Sequence, residues 1–143
     1  EPEQFTLAVS LHSAIQETRD SLMPAVSRYT LGQLKNSLDS YIKKTGRRVS
    51  LEYSLINQVN DSPDDLQALI AFCEGLICHV NLIPLNPVEG SRFKPSSREK
   101  YQEFSAALNR KGTETTIRKS RGADILGACG QLKARHLTDR AIT

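Results

Sequence analysis

Arg48-Val-Ser-Leu-Glu-Tyr-Ser-Leu-Ile56, Asn60-Asp-Ser-Pro63 with the run to Cys73, and Cys78-His-Val-Asn-Leu-Ile83 together decide the fold. The first and last of these are short apolar runs rich in Val, Leu and Ile, and they read as strands. Between them Ser62 is a suitable N-cap, Pro63 fits the first helical position, and Asp64 and Asp65 suit the positive end of a helix dipole. Leu66, Leu69, Ile70 and Cys73 then recur at helical spacing. Strand, helix and strand in succession form a βαβ unit, which implies parallel strands joined by a right-handed crossover.

The same alternation extends in both directions. Upstream, residues 5–10 read as a buried strand, and Glu17–Leu22 as a short helix before Pro24. Thr30 caps a helix through about Thr45, with Leu31, Leu34, Leu38, Tyr41 and Ile42 at helical spacing, and Gly46 stops it. Downstream, the long loop Pro84–Ser96 holds Pro84, Pro87, Gly90 and Pro95. Ser96 or Ser97 caps a helix to about Lys111, with Tyr101, Phe104 and Leu108 on one face, and Gly112 ends it. Residues 114–119 are a fourth strand, and a glycine-punctuated segment, Ser120–Leu132, leads into a basic tail. The pattern βαβαβαβ places the chain in the α/β class, as about four parallel strands with crossover helices. Four strands cannot close an eight-stranded barrel. An open sheet and a partial (βα)-barrel both remain compatible with the pattern.

With 38% hydrophobic and 24% charged residues, the 143-residue chain is composed like a globular domain rather than a disordered one. No run approaches the roughly 20 apolar residues of a membrane span, so no membrane association is expected. Glu1-Pro-Glu-Gln4 lacks the basic and apolar regions of a signal peptide. Three cysteines, an odd number without a secretion signal, point to a reducing compartment. Charge is uneven. Residues 1–91 carry 7 Lys+Arg against 11 Asp+Glu, whereas residues 92–143 carry 12 against 5, for a net +3. A basic carboxy-terminal third suits a polyanion such as RNA, and it equally suits an ordinary solvated surface.

In parallel α/β folds ligands bind beyond the carboxyl ends of the strands. Four stretches fall there: Ser10-Leu-His12, Glu52-Tyr53, Asn81 through Asn86-Pro87, and Ser120 through Leu132. Glu52 lies in an otherwise apolar strand, where a carboxylate is seldom buried unpaired; a place on an edge strand is its plain explanation. Asn86 before Pro87 suits a turn. Cys73 and Cys78 lie on apolar stripes and read as core thiols, and their four-residue separation is not that of a zinc site. Cys129 sits among small residues in Gly127-Ala-Cys-Gly130, which lets a large ligand approach, and Arg118, Lys119 and Arg121 favour a thiolate.

At these residues a family resemblance emerges. It is carried by Val9-Ser-Leu-His12, Arg19-Asp20, Leu22-Met-Pro24, Thr45-Gly-Arg-Arg-Val49, Glu52-Tyr53 and Val59-Asn-Asp-Ser62. It continues through His79-Val-Asn-Leu-Ile-Pro84, Asn86-Pro87, Arg118-Lys-Ser-Arg-Gly122 and Ala128-Cys-Gly-Gln-Leu132. In order, from about residue 6 to residue 133, these resemble the radical S-adenosylmethionine RNA methyltransferases of the RlmN/Cfr type, which methylate adenine in ribosomal RNA, with some members acting on transfer RNA. The resemblance implies that Ser10, Leu11, His12 and Asn86 contact S-adenosylmethionine. It implies that Cys129 carries the methyl group as S-methylcysteine. It implies a 4Fe–4S cluster that cleaves a second S-adenosylmethionine to a 5′-deoxyadenosyl radical, and a reductant protein to supply electrons. The target carbon would be C2, or C8 in Cfr-type enzymes.

The chain departs from that pattern. The cluster motif Cys-x3-Cys-x2-Cys does not occur in it, nor do the second catalytic cysteine and the upstream Gly-Glu motif, and Ala123 and Leu126 stand where acidic residues are common. The expectation is therefore that residues 1–143 form the carboxy-terminal part of a radical S-adenosylmethionine methyltransferase domain, with 120–143 as the cysteine segment and basic tail. No metal ligands are expected in the chain, and no turnover by it alone. A non-catalytic, truncated paralogue that keeps an RNA-binding face is the alternative, and a small thiol enzyme using Cys129 a weaker third. The expected location is cytoplasmic, or an organelle if a transit segment has been removed.

Overall fold

The computed structural model describes residues 7–85, 90 and 92–118. Four strands form one sheet in the order β1-β2-β3-β4, all parallel: β1 (Ala8–Ser10), β2 (Val49–Ser54), β3 (Cys78–Ile83) and β4 (Glu114–Ile117). Between them run α1 (Gln16–Leu22), a 3-10 turn (Pro24–Val26), α2 (Leu31–Thr45), α3 (Pro63–Cys73) and α4 (Arg98–Arg110). This is the βαβαβαβ order that the periodicity predicts. The strand order supplies what the periodicity left open. Right-handed crossovers that always step to the next strand put every helix on one face, as in a barrel wall, with no topological switch point.

The helices start and stop where side-chain chemistry directs. Thr30 and Ser62 each close a capping box, with Gln33 and Asp65 answering from three residues on. Gly46 ends α2 in the left-handed conformation, φ 69°, which costs a residue with a Cβ about 1 kcal/mol more than glycine. Of the two serines expected to cap α4, Ser97 accepts from Lys100 N. Ser96 instead donates to Asp61 Oδ2 at 2.7 Å.

Strand β2 ends at Ser54 rather than Ile56, because the next amides leave the ladder. Ile56 N donates to Asn60 Oδ1 at 2.7 Å, and Ile56 bridges Pro95 in antiparallel fashion. The strand expected over 114–119 ends at Ile117, although Arg118 N still donates to Leu82 O. Val49, Leu51, Tyr53, Val80 and Leu82 are wholly buried against Leu38, Leu69, Phe104 and Leu108 of the helices. At about 1.5–3 kcal/mol per buried large side chain, this single layer is the main stabilising term. Leu31 and Tyr41, expected on the α2 stripe, are only partly buried at its margin. No described helix is long and apolar enough to cross a membrane.

Candidate functional site

The sheet's other face is polar, and no described helix covers it. Residues paired in register project to the same side, so Ser10, Glu52, Asn81 and Thr116 form one row, and Ala8, Ser50, His79 and Glu114 the row before it. Parallel sheets are ordinarily apolar on both faces. A polar face therefore marks a surface that meets something other than a second helix layer.

The two rows are used differently. A network centred on His79 ties Ser50, His79 and Glu114 of the amino-side row to Asn81 and Thr116 of the other. Asn81 donates to Ser50 Oγ at 3.0 Å, and His79 Nε2 lies 3.1 Å from Asn81 Oδ1 and 3.0 Å from Thr116 Oγ1. Arg48 pairs with Glu114, which stands 3.8 Å from the otherwise unpartnered His79 Nδ1. Toward the carboxyl ends, Glu52 has one ion pair among the described residues, to Arg118 Nη1 at 3.7 Å. The edge-strand explanation for Glu52 fails, since β2 is paired on both sides. Tyr53, its neighbour in the expected stretch, points the opposite way, wholly buried against Phe104 with ring centroids 6.0 Å apart. Burial, reinforced by Asp65 and Asp61, pushes the Tyr53 phenol well up.

Ser10, Leu11 and His12 leave the end of β1 as a tightly held turn. Leu11 N and His12 N both donate to Glu52 O, at 2.9 and 3.1 Å. His12 sits at φ 56°, a sparsely populated region for a residue with a Cβ, so the surroundings must hold it there. Three groups do so. Arg19 donates from Nε to Leu11 O at 3.0 Å and from Nη2 to Ser10 O at 3.2 Å. Asn60 donates to His12 O at 2.7 Å and to Ser54 O at 2.8 Å while accepting from Ile56 N. Ser54 N donates to His12 Nδ1 at 3.0 Å. A backbone amide can only donate, so Nδ1 is the acceptor and the neutral ring carries its hydrogen on Nε2.

Arg19 is 4% exposed, and burial pulls its guanidinium below the usual arginine value while Asp20 opposes that shift. Asn60 is 0% exposed and receives the Tyr53 hydroxyl on its own carbonyl at 2.8 Å. Neither was a candidate on residue type. Asn60 reads as a turn former in Asn60-Asp-Ser-Pro63, and Arg19 as a helix-surface charge. The one signal that includes them is the ordered resemblance, whose stretches contain both.

Asn86 and Cys129 lie outside the described residues. Cys73 and Cys78 are buried and reduced, as expected of core thiols. Contact with Cys78 and burial push the Cys73 thiol up, away from reactivity. Among the described residues no group of three or more His, Cys, Asp or Glu is placed to hold a metal ion. Cys73 and Cys78, both buried in the core, do not fit an iron–sulfur cluster, which is held by more cysteine thiolates than these two. Within the Ser10–His12 turn, Leu11 is wholly buried in the core, so Ser10 and His12, both partly exposed, are the residues that could meet a ligand at this end of the sheet. A cleft lined by Pro84, Pro95, Ser96, Tyr101, Gln102 and Ile117 lies beside α4, away from that turn. Burial pushes the Tyr101 phenol there up to about 12.

Comparison with known proteins shows what the chain as a whole resembles. The chain is 39% identical over 139 residues to a probable dual-specificity RNA methyltransferase RlmN of Clostridium perfringens, covering 97% of this chain and 40% of that protein. It is 45% identical over 133 residues to the one from Alkaliphilus oremlandii, covering 93% and 39%. By sequence the chain is RlmN-like. In structure it superposes on a radical SAM methyltransferase from Sphaerobacter thermophilus with TM-score 0.80 and 46% identity, over 87% of this chain and 37% of that one. A domain of pyruvate-formate lyase-activating enzyme from Bacteroides vulgatus shares the fold alone, at TM-score 0.62, 18% identity and 80% and 67% coverage. No family model matches. The chain spans about 40% of the length of the curated relatives it matches, and its four parallel strands with crossover helices match the corresponding part of the radical SAM methyltransferase structure, as a partial α/β barrel would.

Proposed function

We propose that this chain is the part of an RNA methyltransferase that holds S-adenosylmethionine against Ser10, Leu11, His12 and Asn86 and carries the methyl group on Cys129. The target is C2 of an adenine in 23S ribosomal RNA, with transfer RNA as a second substrate. The observation that carries this reading is the clamped Ser10–His12 turn at the carboxyl end of a parallel sheet, in a chain of RlmN kinship. Residues 1–143 act as one portion of the methyltransferase domain, with 120–143 delivering the cysteine. The basic residues of the last third meet the RNA phosphates. The location is cytoplasmic, beside the RNA.

The chemistry asks specific things of these residues. The C2 carbon of adenine is an amidine carbon, not a nucleophile, so direct transfer from a sulfonium fails, and the cofactor supplies the difficult bond-making step when bound. The chain's own part is to orient. The turn is held rigid because Arg19 and Asn60 bond its carbonyls, and that fixes where the partly exposed Ser10 and His12 meet the adenosyl group. The Cys129 thiolate takes the methyl group, and the positive charge of the sulfonium disappears in that transfer. Among the described residues none is placed to hold a 4Fe–4S cluster; the cluster and a separate reductant protein would supply the radical chemistry in the full enzyme.

The test is a chimera in which this chain replaces the matching 40% of the Clostridium perfringens relative. Mass spectrometry of 23S ribosomal RNA from cells that lack their own enzyme should show C2-methyladenine. The Cys129→Ala chimera should show none, and methylation by that variant at the parental level would remove Cys129 from its role.

A further inference from the structure

We infer that Glu52 is the anionic contact that distinguishes the sulfonium of bound cofactor from the neutral thioether left after methyl transfer, with Arg118 as the competing cation. This rests on the proposed placement of S-adenosylmethionine at Ser10–His12. Three observations support it. Glu52 is the register partner of Ser10, one strand spacing away, and projects to the same bare face. Its backbone carbonyl receives both Leu11 N and His12 N, so carboxylate and turn are tied as one unit. Its side chain is 28% exposed, in mid-sheet, yet its one ion pair among the described residues is a loose 3.7 Å contact to a half-exposed Arg118. A partly buried carboxylate so weakly matched is suited to a second cation.

The charge balance of the reaction gives the arrangement its use. In the transfer, the bond between the sulfonium sulfur and its methyl carbon breaks, and the bond from that carbon to the Cys129 sulfur forms. The electron pair comes from the thiolate, and the departing sulfur keeps the pair of the broken bond. One positive and one negative charge vanish together. Glu52 then faces a neutral thioether, and Arg118, its ion-pair partner among the described residues, reclaims it. Product is thereby held more weakly than substrate, which favours exchange for a fresh cofactor.

The experiment is titration of the 143-residue chain with S-adenosylmethionine and, separately, S-adenosylhomocysteine, followed by backbone amide NMR. Expected are shifts at Ser10, Leu11 and His12 with both ligands, and tighter binding of the sulfonium. Glu52→Gln should weaken sulfonium binding roughly tenfold, the scale of one charge-assisted contact, and leave thioether binding within about twofold. Arg118→Gln should strengthen sulfonium binding. Glu52→Asp should keep the preference, and it serves as the informative variant if Glu52→Gln does not fold. Ser50→Ala, on the same face one row away, should change neither ligand. Equal losses for both ligands in Glu52→Gln, or parallel losses in Glu52→Gln and Arg118→Gln, would make Glu52 a structural partner only and overturn the inference. Wild-type shifts with an unaltered preference in Glu52→Gln refute the inference alone. No shift at Ser10–His12 with either ligand refutes the placement of the cofactor and the inference with it.

Discussion

Replacing Asn60 tests the clamp on which the site depends. Its side chain is wholly buried and makes three hydrogen bonds, from Ile56 N and to the carbonyls of His12 and Ser54. Asn60→Ala leaves one amide and two carbonyls without that partner. An unmet buried group costs about 1–3 kcal/mol, and a water admitted by the smaller side chain recovers part of it, so the expected loss is about 3 kcal/mol. That is a large share of the roughly 5–15 kcal/mol that holds a domain together. Asn60→Asp has the same shape and keeps the bond from Ile56 N, but it turns an anionic oxygen onto two carbonyls, with no room for water. It should cost more than Asn60→Ala, by about 1 kcal/mol or more at neutral pH. The introduced carboxyl is favoured in its protonated form, so its folded-state pKa lies above the unfolded value of about 3.9. The protonated form then donates to one carbonyl. The extra deficit of Asn60→Asp is accordingly complete above the folded-state pKa and shrinks as pH falls through it. Guanidinium chloride melts at several pH values, with the slope m unchanged, measure all three quantities. Asn60→Asp as stable as Asn60→Ala at pH 7, or both within about 0.5 kcal/mol of wild type, would refute the reasoning.

Arg19→Met keeps the apolar stem but loses the bonds to Ser10 O and Leu11 O; it should cost about 2 kcal/mol in the same melts and weaken adenosyl-ligand binding, whereas a surface arginine would show neither effect. Tyr53 and Tyr101 are both raised, chiefly by burial, Tyr101 to about 12. The stability tied to their neutral phenols is whole below the unfolded value of about 10 and is lost as pH rises toward the folded values. Phenolate absorbance from these two residues should therefore appear only together with loss of far-ultraviolet ellipticity, and phenolate formation by Tyr101 in a still-folded chain at pH 10 would contradict its burial.

Much of the fold is legible in the sequence, because short apolar runs separated by capped, 3.6-periodic helices admit few other readings. Ser62, Pro63 and Gly46 act where their chemistry says. Less legible is what the second face of the sheet does. Ser50-Leu-Glu52 and His79-Val-Asn81 alternate polar and apolar residues with period two, yet the surrounding Val, Leu and Ile make each strand look buried throughout. Only the register, which lines Ser10 up with Glu52 and Asn81, shows that the alternation is shared by neighbouring strands. Loop residues mislead for a related reason. Asn60 and Asp61 are turn formers by type, but here the turn folds inward. Their side chains accept from backbone amides that have left the ladder after β2: Asn60 from Ile56 N and Asp61 from Gln58 N, while Asp61 also accepts from the Ser96 hydroxyl.

The division between the two faces also explains why the site tolerates strain. His12 at φ 56° would relax if its neighbours were free to move, at a scale of about 1–3 kcal/mol for such conformations. Its restraints come instead from the most buried part of the molecule. Asn60 is locked by Tyr53, which packs on Phe104 of α4, and Arg19 reaches the turn from α1. A change on the helical face, for example at Phe104, is therefore transmitted to Ser10–His12 through Tyr53 and Asn60. Changes within the Arg48–His79–Glu114 network, which lies at the amino ends of the strands and touches none of these groups, should leave the turn unmoved. Core packing and the Ser10–His12 turn are coupled at one end of this sheet, and the network at the other end stands apart from both.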